Sequence, residues 1–179
     1  MSKYKFLKLV KGKIKSSSGD KTWKLNVWKK LDQQPSLCNY GFHCSKTPYQ
    51  AFSYVQREVL AMVEVRGKKD IQEDKEAWSE MRIVKAYKWT KKDSVAFAIY
   101  ASELVLDNYE KEYPSDKRPR ETIEAAKKVL FKDTAKNRSA AESAAWSAAE
   151  SAARSARSAA YKKLGIWMVN HIKKLKEIK

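Results

Sequence analysis

Residues 39–54 hold an imidazole, a thiol and five aromatic rings within sixteen positions, and a second thiol, Cys38, stands just before them. Three chemistries are open to that set. A cysteine nucleophile activated by histidine is the first. His43 and Cys44 are neighbours on a short strand, so their side chains leave on opposite faces and do not meet. Cys38 has a freer path to His43, but no Asn or Asp pattern supports a triad. No catalytic residue is assigned. The second chemistry is zinc ligation by Cys38, His43 and Cys44. A fourth ligand is not evident, and no metal is expected. The third is a pocket in which His43 and Tyr54 stack on or hydrogen-bond a ligand, with Trp23 beside them. The competing view is that His43 is a hydrogen-bonded core or rim residue.

Charge is the second feature. The 179 residues carry a formal net charge of +17, and 33% are charged. The first thirty contain ten Lys against one acid, Asp20. Such a surplus favours nucleic acid, an anionic surface or an acidic protein as partner. Lys predominates over Arg, which suits phosphate contact better than bidentate base reading. Lys11, Lys13, Lys15, Lys21, Lys24, Lys29 and Lys30 are the candidate binding surface. Solubility alone is the plainer explanation. Arg118 and Arg120, on a charged loop, form a second candidate anion site unless Asp116 ties them into a local ion-pair network. With five glycines there is little room for a phosphate-cradling loop, and no P-loop, GxGxxG, HExxH or paired-carboxylate pattern occurs.

The elements that must position these groups fall into two halves, 1–89 and 90–179. Alternation predicts strands at 4–10, 22–31, 42–44, 59–67 and 81–89, with Gly67 ending the fourth. Residues 70–79 read as polar connection. Thr47 before Pro48 is an N-cap followed by proline at the first helical position, so a short helix follows. From Thr90 the period lengthens. Thr90 and Asp93 make a capping box for a helix of about twenty residues that stops before Pro114. A second helix starts near Pro119. A four-residue Ser/Ala repeat predicts a further helix over 139–163, because alanine is the strongest helix former. A final amphipathic helix is expected from Ile166 to Ile178. The fold class expected is α+β: a small, mostly antiparallel sheet with one short helix, followed by an all-helical bundle.

Leu37-Cys38-Asn39-Tyr40-Gly41-Phe42-His43-Cys44, with Trp23, Trp28, Tyr54, Val63-Glu64-Val65-Arg66-Gly67 and Met81-Arg82-Ile83-Val84, resembles a family of uncharacterised domains common in phage and prophage proteins. Tyr109-Glu110-Lys111-Glu112-Tyr113-Pro114, Arg118-Pro119-Arg120 and the Ala-rich helix resemble a second uncharacterised family, labelled immunity-protein-like in bacteria. Gly41-Phe42-His43, Tyr54 and the strand from Val59 are also similar in order to the NAD-binding core of ADP-ribosyltransferases. That likeness implies a nicotinamide held between His43 and Tyr54, with Glu76 or Glu80 as the catalytic carboxylate. The early cofactor-binding His or Arg of those enzymes has no counterpart in residues 1–40.

The first resemblance implies a phage or mobile-element setting, by analogy. The function expected is that of a basic, non-enzymatic interaction protein. It would inhibit a host defence machine, such as an RNA-guided nuclease, by binding its nucleic acid or an acidic surface. The alternative is an ADP-ribosyltransferase-like enzyme or nucleotide-binding sponge built on His43 and Tyr54. A self-assembling structural protein, resting on the small-residue stripe at 140–160, is the third. No cofactor is expected. Two cysteines and no long apolar run lead to the expectation of a reducing, cytoplasmic setting in the host cell, without a membrane.

Overall fold

The computed structural model describes residues 2–18, 21–131 and 157–179. The chain divides into two compact units, Met1–Trp89 with Trp167–Lys179, and Thr90–Ile166.

In the first unit, β1 (Lys3–Val10) and β2 (Lys13–Lys15) are joined by a tight turn at Lys11-Gly12, where both residues have positive φ. β3 (Thr22–Trp23) pairs with β2. β4 (Lys29–Lys30), β5 (Phe42–Cys44) and helix α1 (Pro48–Tyr54) follow. A long hairpin of β6 (Val59–Ile71) and β7 (Glu76–Lys88) forms the centre. The sheet runs β3-β2-β1-β6-β7-β4, with β5 also on β7, and every named pair is antiparallel. Just past β5, Ser45 exchanges two backbone hydrogen bonds of 2.9 Å with Tyr4. The pairings β1–β6, β6–β7, β7–β5 and β5–β1 therefore close a ring.

The hairpin has to bend for that closure. Two register shifts interrupt it, at Met62/Val63 and at Arg66/Lys69. Gly67 sits at the second with φ +84, and a Cβ there would lie 2.4 Å from the Ser79 hydroxyl. Gly67 therefore makes a bulge and does not end the strand, which is why β6 runs on to Ile71 and β7 starts at Glu76, inside the polar stretch. The ring encloses Leu7, Ile14, Trp23, Phe42, Val63, Met81 and Ile83. The strand expected over 22–31 is two short pieces, because Asn26 adopts φ +59 and breaks it.

α1 starts at a capping box in which the Thr47 hydroxyl accepts from the Gln50 amide and Gln50 reaches back to the Thr47 amide. Its Phe52 ring packs edge-on against Phe6 at 5.5 Å, and Trp89 meets both at 5.6 Å. Burying rings such as Phe6 and Phe52 is worth about 2–3 kcal/mol each. His171 lies 5.7 Å from Trp89 and stacks on Trp167 at 4.4 Å.

The second unit contains α2 (Lys91–Glu112) and α3 (Arg118–Phe131). Thr90 and Asp93 form the expected capping box. Ile99, Leu106, Ile123 and Ala126 make the seam between the helices. α4 (Arg157–Ile172) crosses the boundary between units.

The fold class expected from the sequence is corrected here. Among the described residues the sheet has eight strands, four helices accompany it, and strands and helices are mixed along the chain. No all-helical bundle exists among the described residues. The clearest departure is at 166–178. α4 passes through Gly165, which keeps ordinary helical backbone, and stops at Ile172. A turn at 173–175 then leads to β8 (Glu177–Ile178), which pairs with Ala86 and Tyr87 of β7. Ile172, Leu175 and Ile178 have the three-residue spacing of a helix, yet the open edge of β7 supplies hydrogen bonds that a frayed helix end lacks. The Ser/Ala repeat at 139–156 lies outside the described residues.

Candidate functional site

β5 is short because its neighbours fix it at both ends. Gly41 enters it at φ +138, where an added Cβ would approach the Ala77 methyl to 3.0 Å. Ser45 leaves it through the bridge to Tyr4. Between them Phe42 and Cys44 are buried and His43 is half-buried. Beside this strand lies a cavity of about 480 Å³, bordered by the Ser16–Ser18 turn, residues 38–45, the end of α1, and Lys5, Lys21, Trp23 and Lys75.

His43, Tyr54 and Trp23 all line this cavity. His43 Nε2 accepts the Cys38 amide at 3.1 Å. Cys38 has φ +67, so the imidazole holds a left-handed loop residue in place through its backbone. Burial keeps the imidazole below its ordinary pKa, and the Lys5 ammonium adds to that. A neutral ring whose Nε2 is already engaged is a clamp and not a base for the Cys38 thiol. Cys44 is buried, which pushes its thiol up to about 12, with the Glu76 carboxylate adding to the rise. Cys44 therefore lacks an activated nucleophile's surroundings. Among the described residues no cluster of His, Cys, Asp and Glu could hold a metal ion.

Trp23 forms part of the cavity floor. It is 3% exposed, meets Phe42 edge-on at 5.3 Å and donates its indole N–H to the Ser16 hydroxyl at 3.0 Å. Tyr54 stands at the rim, 48% exposed. Its hydroxyl donates to Asp74, and desolvation with that hydrogen bond pushes the phenol up to about 12. The Lys75 ammonium lies 5.3 Å from the Tyr54 ring and donates to Cys38 Sγ at 3.1 Å.

Three lysines face the cavity: Lys5, Lys21 and Lys75. Among the described residues no carboxylate lines it, and none of the three has a carboxylate partner. Lys5 donates to the His43 carbonyl at 2.7 Å. Burial pushes its ammonium down to about 8. Sequence reasoning passed over Lys5 and Lys75. For Lys5 the signal was present, since Lys3, Lys5, Leu7 and Leu9 share one face of β1 and two of them are apolar. Nothing in the sequence pointed to Lys75.

The two glutamates that transferase chemistry would need are engaged elsewhere. Glu76 is buried, bonded to Lys3 at 2.7 Å and to the Trp78 indole at 2.8 Å. Glu80 pairs with Arg66 at 2.7 Å. Neither lines the cavity.

The seven lysines proposed as one binding surface separate into groups. Lys13 and Lys15 flank buried Ile14 on β2, and Lys15 lies directly opposite Lys8 of β1. Strand alternation puts Lys8, Lys13 and Lys15 on one face of this ribbon, with exposed Lys11 at its tip and exposed Lys24 just past β3. Lys21 turns instead to the Phe42 ring and the cavity. Lys29 lies over the Trp23 ring at 5.4 Å, and Lys30 sits opposite Glu80. Trp28 is covered by Arg66 at 4.1 Å and Arg82 at 5.0 Å.

Arg118 and Arg120 lie in the second unit, and both are occupied. Arg118 grips Asp116 with two hydrogen bonds of 2.9 and 2.6 Å, and Tyr109 donates to the same carboxylate at 2.9 Å. Arg120 grips Glu110 at 2.7 and 2.5 Å, which ties α3 to α2. The Arg118 side chain holds the Asp116 carboxyl well below the usual carboxylate range. These forks describe a structural network, not a free anion site.

No helix among the described residues is long and apolar enough to cross a membrane. Comparison with known proteins finds no curated protein and no solved structure that matches. A family model described as "Domain of unknown function (DUF7666)" matches residues 4–93, a span that contains the ring of strands and the Gly41-Phe42-His43-Cys44 segment. With half its length inside that match, the chain belongs to the DUF7666 family.

Proposed function

We propose that the protein is a non-enzymatic binding protein that captures nucleic acid by its phosphate backbone through the lysine face of the β1–β2–β3 ribbon. One observation carries this: Lys8 and Lys15 are placed directly opposite each other, with Lys13 beside them on the same face. Side chains in facing positions stand close together, so this face concentrates positive potential that a polyanion laid across it would meet. Buried Ile14 and Trp23 anchor the other face, so the lysines are presented by a rigid ribbon. The resemblance to phage and prophage domains makes a cytoplasmic host nucleoprotein, such as an RNA-guided nuclease, the first partner to try.

The test is fluorescence anisotropy with labelled single- and double-stranded RNA and DNA. Five phosphates met by Lys8, Lys11, Lys13, Lys15 and Lys24 give a slope of log affinity against log salt of roughly −4. Binding should weaken steeply from about 50 to about 200 mM salt. It should be lost in the Lys13→Glu/Lys15→Glu variant, whereas His43→Ala should leave it unchanged. Absence of binding at the lower salt would refute the proposal. Binding to an acidic protein alone would reassign the partner class.

A further inference from the structure

The cavity beside β5 combines features that a packing defect does not. It is as large as an ordinary small-molecule site, for which roughly 300–1,000 Å³ is typical. Three ammonium groups line it, and among the described residues no carboxylate does. One of them, on Lys5, is partly buried and donates to the His43 backbone carbonyl. A buried cation without a counter-ion is costly unless something pairs with it. The neighbouring Lys3 shows the ordinary solution, since it meets Glu76 at 2.7 Å. Among the described residues no carboxylate plays that part for Lys5. Aromatic edges from Trp23 and Phe42 form the floor, and Tyr40 and Tyr54 stand at the exposed rim. Serines 16–18 add hydroxyl groups along one wall.

We propose that this cavity binds a small organic phosphate carrying a flat ring, of the nucleoside diphosphate type. Lys5, Lys21 and Lys75 hold the phosphates, and the rim tyrosines flank the ring. Lysines suit this task as compact point charges that need no fork geometry. The site is distinct from the lysine face of the ribbon, because Lys13 and Lys15 do not line it. It is a binding site without assigned chemistry, since the nearby carboxylates Glu76 and Glu80 are already paired.

Isothermal titration calorimetry of the full chain with ADP, GDP and UDP tests this, with adenosine and inorganic pyrophosphate as the two halves of the ligand. At least one nucleotide should bind saturably, and each half should bind at least about tenfold more weakly. Lys5→Met and Lys75→Met should each weaken the nucleotide by roughly tenfold to a hundredfold, the loss of one charged hydrogen bond. Lys75 is at the rim, so its variant serves if Lys5→Met disturbs folding. The Lys13→Glu/Lys15→Glu variant should keep its nucleotide affinity while losing nucleic acid, which separates the two sites. The proposal is overturned if no nucleotide binds at millimolar concentration. It is equally overturned if the Lys75 variant binds as the native chain does, or if the ribbon variant loses as much as the Lys75 variant.

Discussion

Replacing Lys5 by Met should make the protein more stable at neutral pH. Lys5 is charged at pH 7 in both folded and unfolded chains, but the fold opposes that charge. A fall from 10.5 to about 8 corresponds to roughly 3 kcal/mol by which the folded protein disfavours the ammonium. Met keeps the apolar stem and gives up the hydrogen bond to the His43 carbonyl, a loss of about 1 kcal/mol. The net gain is roughly 2 kcal/mol at pH 7. The gain falls as pH rises. Between about 8 and 10.5 the unfolded chain holds the Lys5 proton and the folded chain has released it, so native stability rises across that window. The advantage of the variant should therefore shrink to about zero near pH 10. Urea unfolding of both proteins at pH 7 and pH 10 reads this directly, because all other titrations cancel in the difference. A variant less stable than the native chain at both pH values, by the same amount, would refute the reasoning. It would mean that the ammonium is a net structural tie. Taken with the expected loss of nucleotide binding, the predicted gain would mark Lys5 as a residue kept at the expense of stability.

Three further outcomes follow. Gly67→Ala should destabilise the first unit by about 2 kcal/mol or more, since it meets both a positive φ and the Ser79 hydroxyl; thermal unfolding measures it, and an unchanged midpoint would contradict the bulge. His43 has a depressed pKa, so its contribution is complete above about 6.5 and declines as pH falls below that value, where the unfolded chain takes up the proton first. The His43→Gln variant should show a flatter stability profile between pH 7 and pH 5 by chemical denaturation. Mass spectrometry after iodoacetamide treatment of the folded protein should find Cys38 alkylated and Cys44 untouched, because Cys38 is exposed while Cys44 is buried with its thiol raised to about 12.

Local signals carried through where they act within a few residues. Thr47-Pro48 and Thr90 with Asp93 specify helix starts by hydrogen bonds that span three positions, and both appear as read. The Phe42-His43-Cys44 strand is likewise present. Long-range pairing was not readable. Gly67 serves equally well as a strand end or a bulge, and only the partner strand at Ser79 decides between them. Leu175 and Ile178 fit a helical stripe until the free edge of β7 is known to lie beside them. The cavity was half visible. His43 and Tyr54 stood out by residue type, whereas Lys5 and Lys75 looked like two more lysines in a lysine-rich chain. The same abundance hid the division of the cationic set, which depends on which rings happen to lie under Lys21 and Lys29.

The closed ring of strands has a bearing on how the chain is made. β1 is synthesised before its partner β6, which begins at Val59, and before β7, which completes the ring and ends at Lys88. At cellular rates of elongation those residues emerge roughly 4–16 s after Val10. The β1–β2 hairpin needs only microseconds to form. For those seconds it presents Leu7, Leu9 and Ile14 on one face with no strand to cover them. Its other face carries Lys8, Lys13 and Lys15, whose mutual repulsion opposes pairing between two nascent chains. The lysine ribbon is therefore also a gatekeeper during translation, and a variant with its charges removed should aggregate on the ribosome before it loses any stability once folded.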